Sequence, residues 1–351
     1  MTSSRSVKSS GTLLLVVLIL VSWAGCRKEQ VERSAGTSVP KVTTTSTAPS
    51  NSEPVSSSGP KVTLAPGTVS RSILTPDGHE RTYRIYVPSS IPSDQIIPLV
   101  VALHGGTGWG EQFEKTSEFD KVADKAGFLV VYPDGNDIAR IPGKGGVWNA
   151  GDCCGFAAEN AEDIDDVSFI SKVIDEVKTQ YQIDNSRIYA TGHSNGGMLA
   201  YRLACELSDK IVAVGIQSGT NGFGPCTPGR PVSLIHIHGT ADTNVPINGG
   251  KGSGISSVDF NSPTQSVTTM ATKNGCDRTP TTKTDQTNTD VITSTWGNCE
   301  EGVSVVFVKV EGANHGWMGH ASSGLSNSER SPYQAYDSSA EIWTFLAAHP
   351  R

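Results

Sequence analysis

The 351-residue sequence has no run of eighteen or more apolar residues. A helix needs roughly that length to cross the hydrocarbon core of a membrane, so a protein threaded repeatedly through a bilayer by helices is excluded. A basic surplus is also lacking: 28 Lys and Arg stand against 35 Asp and Glu, for a formal charge of −7. With no excess positive charge to neutralise phosphates, no nucleic-acid partner is expected. Charged residues reach only 18% and apolar residues 36%. Both are low for a compact globule and point to a polar, unfolded portion beside a folded one. Aromatic residues are missing between Trp23 and Tyr83, and from Ser34 to Pro66 Ser, Thr and Pro fill 19 of 33 positions. Such a stretch cannot bury enough apolar surface to offset its ordering entropy, and it reads as an extended tether or an O-glycosylated stalk.

What precedes the stalk reads as a targeting segment. Arg5 and Lys8 lead into the nine-residue apolar run Leu13–Val21, followed by Ser22-Trp23-Ala24-Gly25-Cys26. A basic start, a short apolar core and small residues before a cleavage point describe a signal peptide over residues 1–25. Ala24-Gly25-Cys26 also resembles a bacterial lipobox, with Trp23 where that pattern prefers Leu. Seven cysteines are an odd number, and lipidation of Cys26 leaves six, an even set suited to disulfides in an oxidising compartment. Cleavage would remove Arg5 and Lys8 and no acidic residue, so the net charge falls from −7 to −9. The expected organisation is a signal peptide (1–25), a lipid-anchored or exported Ser/Thr/Pro-rich linker (26–66) and one catalytic domain (67–351). Membrane contact is expected only through the lipid, with the protein at the cell surface or outer membrane, or else secreted.

Within residues 67–351, Arg81–Val87 alternates like a strand with one wet face, whereas Ile97–Leu103 and Phe128–Tyr132 are continuous apolar runs. Continuous runs mark strands covered on both faces. Further strands are expected at Arg187–Ala190, Ile211–Ile216, Val232–Ile237 and Val303–Val310, and helices at Val167–Tyr181, Asn195–Leu207, Pro263–Lys273 and Tyr333–Ala348. Alternating strands and helices predict an α/β fold, a mostly parallel sheet with helices on both faces and its ligand site at the carboxyl ends of the strands.

Chemistry-bearing residues fall at those ends. Strand Arg187–Ala190 enters Gly192-His193-Ser194-Asn195-Gly196, which a helix follows. Gly-x-Ser-x-Gly between strand and helix is a nucleophile elbow, with glycines where side chains would clash in the tight turn. Such a serine needs a base and an orienting acid, arriving in the order Ser, Asp, His. Asp242 follows strand Val232–Ile237, and His315 follows strand Val303–Val310. For Asp242 the alternative is a loop turn, and for the base the competitor is His320. The segment His104-Gly105-Gly106-Thr107 after an early strand suits an oxyanion hole. Gly106 or Thr107 would supply one N–H and Asn195 the other. Trp109, Trp148 and Trp317 flank these motifs as candidate acyl contacts, with a place in the core as the alternative. Asp163, Asp165 and Asp166 read as a solvated stretch with a helix cap. His236 and His238 share one strand face and form a rival metal pair, although hydrogen-bonded buried histidines are the plainer account and a metal site leaves Ser194 unexplained. A catalytically inactive surface-binding protein is the rival of another class, and it has no need of all three triad side chains.

Taken together, Leu103-His104-Gly105-Gly106, Tyr132-Pro133-Asp134-Gly135, Trp148-Asn149, Cys153-Cys154-Gly155, Asp165–Ile170, Gly192–Gly197, His238–Asp242 and Gly312–Trp317 resemble the polyhydroxybutyrate depolymerase and feruloyl esterase family of α/β-hydrolases. Members often carry His-x-Trp-Pro-Gly at the base, whereas Met318-Gly319 follows Trp317 here. The resemblance implies that residues 67–351 are an α/β-hydrolase catalytic domain, and that the protein is an exported serine ester hydrolase with Ser194, Asp242 and His315 as triad and no cofactor. It implies substrates that are polyesters or hydroxycinnamoyl esters of plant cell-wall oligosaccharides, with acetyl xylan esters as a further alternative. No separate substrate-binding module is visible, which favours soluble esters over poly(3-hydroxybutyrate). Lipidation of Cys26 leaves six cysteines for disulfides in the oxidising compartment that export implies. Cys276 and Cys299 bracket a 24-residue stretch and are the expected pair, while Cys153, Cys154, Cys205 and Cys226 allow three pairings.

Mass spectrometry of the mature N-terminus is expected to find a diacylated or triacylated Cys26. A free amine on any other residue would refute the anchor.

Overall fold

In a computed structural model the described residues are 65–75, 78–92, 95–137, 145–151, 153, 164–225, 227–254, 258–320 and 333–351. The signal segment, Cys26 and the stalk up to residue 64 lie outside them. Internal packing divides the chain into Met1–Ser57 and Ser58–Arg351, and all the elements below belong to the second unit.

The first four strands are β1 (Gly67–Leu74), β2 (Glu80–Val87), β3 (Ile97–Leu103) and β4 (Leu129–Pro133). A ribbon of β5 (Asn136–Asp137) and β6 (Gly146–Val147) precedes β7 (Ile183–His193), β8 (Ala213–Gln217) and β9 (Ser233–Gly239). A second ribbon, β10 (Gly250–Lys251) and β11 (Asp259–Phe260), precedes β12 (Thr281–Thr284), β13 (Val291–Trp296) and β14 (Val305–Val310). The helices are α1 (Gly110–Ser117), α2 (Phe119–Ala126), α3 (Asp166–Gln180), α4 (Asn195–Glu206), α5 (Pro263–Lys273) and α6 (Ser338–Ala347).

Ten strands form one sheet in the order β1-β2-β4-β3-β7-β8-β9-β14-β13-β12. The centre from β4 to β14 is parallel, and β1–β2 and β12–β13 add antiparallel edges. The continuous apolar runs have the reason expected of them: both faces are covered. Leu99, Val101 and Leu103 of β3 enter one core with α3, α4 and α5, while Val100 and Ala102 enter the other with α1, α2 and α6. The early wet-faced strand is β2, whose alternate residues from Arg81 on are buried.

Local signals set several helix ends. Asp165 caps α3 by accepting the Ser168 N–H at 2.9 Å. Ser262 caps α5 through the Gln265 N–H, with Pro263 in the first turn. The expected helix over Tyr333–Ala348 is shorter, because the Asp337 carboxylate accepts the Ala340 N–H and starts α6 at Ser338. Asp166 departs from the solvated reading: it is fully buried, because Arg81 pairs with it at 2.8 Å and the Asn149 N–H donates to it. Burial raises its pKa against the pull of Arg81. Asp163 lies outside the described residues.

Cys276 and Cys299 are joined in a disulfide. Cys153 and Cys205 are also disulfide-bonded, while Cys154 and Cys226 lie outside the described residues. The Cys276–Cys299 bond ties the end of α5 to the turn after β13. Cys276→Ser is expected to lower unfolding stability by about 3 kcal/mol, from the loop-closure entropy restored to the unfolded chain. A urea midpoint equal to that of the parent would show that the cross-link contributes nothing.

Candidate active site

Strand β7 ends at His193 and α4 starts at Asn195, so Ser194 makes the whole turn, at φ 53° and ψ −119°. A positive φ is costly for a side chain with a Cβ and persists only where the surroundings enforce it. They do so here by close packing. A Cβ on Gly192 would lie 2.4 Å from the Gly196 backbone, and one on Gly196 would lie 2.3 Å from the His104 carbonyl oxygen. The Ser194 N–H donates to the Gln217 carbonyl at 2.9 Å, which ties the turn to the end of β8.

Asp242 follows β9, buried in a tight turn. Its Oδ1 accepts the N–H groups of Asn244 and Val245, both at 2.9 Å, and its Oδ2 meets His315 Nδ1 at 2.8 Å. Burial alone would raise the Asp242 pKa. The charge and hydrogen bond of His315, with help from His238 and the Val245 N–H, outweigh it and hold the carboxyl below its usual range. With Nδ1 engaged by the acid, Nε2 is the ring nitrogen of His315 that faces away from Asp242.

Two side chains bring the His315 loop to the elbow. His193 Nε2 donates to the His315 carbonyl at 2.6 Å, and the two rings lie 4.9 Å apart. Gln217 Nε2 donates to the Gly316 carbonyl at 2.6 Å. Gln217 therefore holds the Ser194 backbone with its carbonyl and the base loop with its side chain. His193 is pushed down to about 3 by burial and the neighbouring His315 charge, so it stays neutral and keeps one N–H for this bond. The competitor His320 sits between other partners, with Nδ1 3.3 Å from Glu118 and Nε2 3.1 Å from Asp337. With both ring nitrogens on those carboxylates, it is held away from Asp242.

The candidate oxyanion loop packs on the elbow: a Cβ on Gly105 would lie 3.5 Å from Ser194 Cβ, and one on Gly106 3.7 Å from Asn195 Cβ. Of the two candidate donors here, Thr107 is excluded, because its N–H is already spent on the Gly146 carbonyl at 2.8 Å. His104 braces the loop, with Nδ1–H on the Gly105 carbonyl at 2.7 Å and Nε2 accepting the Gly135 N–H at 2.8 Å. Burial pushes it down to about 4, which keeps the ring neutral. The Asn195 side chain grips Trp148 on both sides, accepting its N–H at 2.7 Å and donating to its carbonyl at 3.1 Å.

The three tryptophans separate. Trp148 and Trp317 are 1% and 2% exposed and belong to the core. Trp148 donates its indole N–H to the His104 carbonyl, and Trp317 packs edge-on against Phe113 and donates to Ser339. As acyl contacts they are corrected, because both ring and N–H are already occupied by protein. Trp109 is 38% exposed. The rival metal pair is also spoken for: all four ring nitrogens of His236 and His238 have hydrogen-bond partners, namely Tyr201, each other and the Val245 carbonyl.

Residues 81–234 match the Esterase PHB depolymerase family, a segment holding the oxyanion loop and the elbow. Over that segment, less than half of the chain, the sequence is similar to PHB depolymerase esterases. Among esterases with sequence similarity, a bifunctional acetylxylan esterase/xylanase of Neocallimastix patriciarum is 29% identical over 239 residues, 68% of this chain and 31% of that protein. Feruloyl esterase B of Piromyces equi is 31% identical over 235 residues, 65% of this chain and 41% of that protein. The chain thus matches less than half the length of either relative. An acetyl xylan esterase structure from Aspergillus awamori shares the fold at 18% identity and a TM-score of 0.51, covering 71% of this chain and 94% of that one. The architecture is the α/β-hydrolase fold.

Sequence reasoning missed Gln217 and the bracing roles of His193 and His104. A signal existed for Gln217, a long polar side chain closing the otherwise apolar strand Ala213-Val214-Gly215-Ile216-Gln217, fully buried. Buried polar side chains require partners, and at a strand's carboxyl end those partners lie in the site.

Proposed function

We propose that the chain is an exported serine carboxylic ester hydrolase acting through an acyl-enzyme. The observation that carries the reading is the Asp242–His315 pair held beside a strained Ser194 elbow by His193 and Gln217. Ser194 Oγ attacks the ester carbonyl carbon as His315 Nε2 takes its proton. Asp242 keeps the remaining imidazole proton on Nδ1 and stabilises the cation that forms. The Gly106 and Asn195 N–H groups receive the developing oxyanion, the latter at the first turn of α4, where the helix dipole favours negative charge. His315 returns the proton to the leaving alcohol, and water then releases the acid. No cofactor enters any step.

Ser194→Ala and His315→Ala are each expected to lower kcat roughly 10³- to 10⁶-fold with the fold retained. Asp242→Asn should cost less than Ser194→Ala, since it mis-sets the tautomer without removing a reacting atom. Turnover of a chromogenic acetyl ester should cease with a serine-directed phosphonate and survive a chelator. Near-parent turnover in His315→Ala, with collapse in His320→Ala, would move the base.

For substrate, we read soluble hydroxycinnamoyl esters of plant cell-wall oligosaccharides, supported by relatives named feruloyl esterases and by the exposed face of Trp109. A second reading, acetyl esters on xylan, is favoured by the enclosure of Trp148 and Trp317, which leaves one exposed tryptophan of the three for a planar acyl group. Methyl ferulate is expected to exceed poly(3-hydroxybutyrate) granules as a substrate. Granule clearing without ferulate release would reverse that order, and faster acetate release from acetylated xylan would favour the second reading.

A further inference from the structure

A line of buried polar side chains runs from the interior to the back of Asp242. Tyr201, on α4, places its hydroxyl 2.6 Å from His236 Nδ1. His236 Nε2 lies 3.0 Å from His238 Nδ1. His238 Nε2 lies 2.9 Å from the Val245 carbonyl and 3.4 Å from Asp242 Oδ2. The three rings are fully buried, two on β9 and one on α4.

The proton positions along this line follow from its acid end. The Val245 carbonyl and the Asp242 carboxylate can only accept, so His238 must carry its proton on Nε2. A neutral His238 then offers a lone pair at Nδ1, which requires Nε2–H on His236. His236 in turn offers Nδ1 to Tyr201, which answers with its O–H. Burial favours this arrangement, since it pushes both imidazoles down in pKa and the Tyr201 phenol up, so none of the three ionises near neutrality. Among the described residues, the titratable groups that act on the line are Asp242, His315 and His193.

Val245 closes the loop of contacts: its N–H donates to Asp242 Oδ1 and its carbonyl accepts from His238. We propose that His238 is a positioning residue for Asp242, and that Tyr201 and His236 lock it in the Nε2–H tautomer so that the turn Asp242–Val245 aims Oδ2 at His315. With the other tautomer, a lone pair would face the Val245 carbonyl and the carboxylate, and the turn would open. This inference rests on the esterase reading for its kinetic consequence, and its tautomer claim stands independently of that reading.

The experiment is nitrogen-15 NMR of the imidazoles in the full chain, with steady-state kinetics on a chromogenic acetyl ester. In the unmodified protein, His236 and His238 are expected as neutral Nε2–H tautomers throughout pH 5–8. An Nδ1–H tautomer, or titration of either ring in that range, overturns the proposal. Tyr201→Phe deletes one hydroxyl and is expected to shift the His236 and His238 signals toward a mixture of tautomers. His238→Leu is expected to lower kcat about tenfold, the equivalent of one hydrogen bond, with KM within about twofold, and His238→Gln to recover most of the loss by restoring an N–H toward Val245. Parent kcat in a folded His238→Leu overturns the positioning role. If His238→Leu does not fold, the tautomer shift in Tyr201→Phe decides the matter: unchanged spectra and unchanged kcat refute the proposal. An unmodified protein that shows the Nε2–H tautomers but hydrolyses no ester would sink the esterase reading and leave the positioning of Asp242 intact.

Discussion

The close approach of Gly196 to the carbonyls of Leu103 and His104 is the contact on which the site depends. It brings the first turn of α4 against the end of β3 with no room for a side chain. The same contact seats the His104–Thr107 loop beside Ser194 and forces Ser194 through the whole strand-to-helix turn by itself. Of the six described non-glycine residues with positive φ, three lie around this point: Thr107, Ser194 and Ser218. Such conformations cost roughly 1–3 kcal/mol each and survive only where neighbours over-determine them. At Ser194 and Thr107 the neighbours are visible, in the N–H bonds to Gln217 and Gly146.

Around that contact the site is made rigid by buried polar groups. Gln217 and His193 hold the base loop, Asn195 holds the Trp148 backbone, and Asp166 holds the Asn149 N–H while paired with Arg81. The Arg81 guanidinium also lies 4.2 Å over the Phe169 ring, so the charge on β2 is anchored to α3 by two separate attractions. A buried pair of this kind adds little net stability over an apolar substitute, but removing one partner strands the other charge in the interior. Its effect here is geometric: it fixes Asn149, whose preceding residue, Trp148, is gripped by the helix that follows Ser194.

Burial acts on the histidines in one direction and on the acid in the other. His104, His193, His236 and His238 are all lowered by loss of water and remain neutral, so each presents one donor and one acceptor at known atoms. Asp242, also buried, stays below its usual range because His315 and the turn N–H groups compensate for the lost hydration. The outcome is that the Asp242–His315 pair is framed by neutral imidazoles that serve as fixed hydrogen-bonding pieces.

By itself the sequence determined the layered fold and the chain order of the site. Continuous apolar runs such as Ile97–Leu103 record burial on two faces, Gly192-His193-Ser194-Asn195-Gly196 records a turn too tight for side chains, and Asp165 and Pro263 mark helix starts. The edge strands left no such record. Thr281–Thr284 is exposed at every residue and β1 at most of its length, so no period separates them from loops. Tertiary structure alone decided which N–H of the oxyanion loop is already spent, which tryptophans the core encloses, and which carboxylates hold His320. It also joined Arg81 to Asp166 across 85 residues and His193 to the His315 carbonyl across 122. Local pattern reports the environment of a residue along its own element, whereas the partner of a buried polar group is set by which elements the sheet order places side by side.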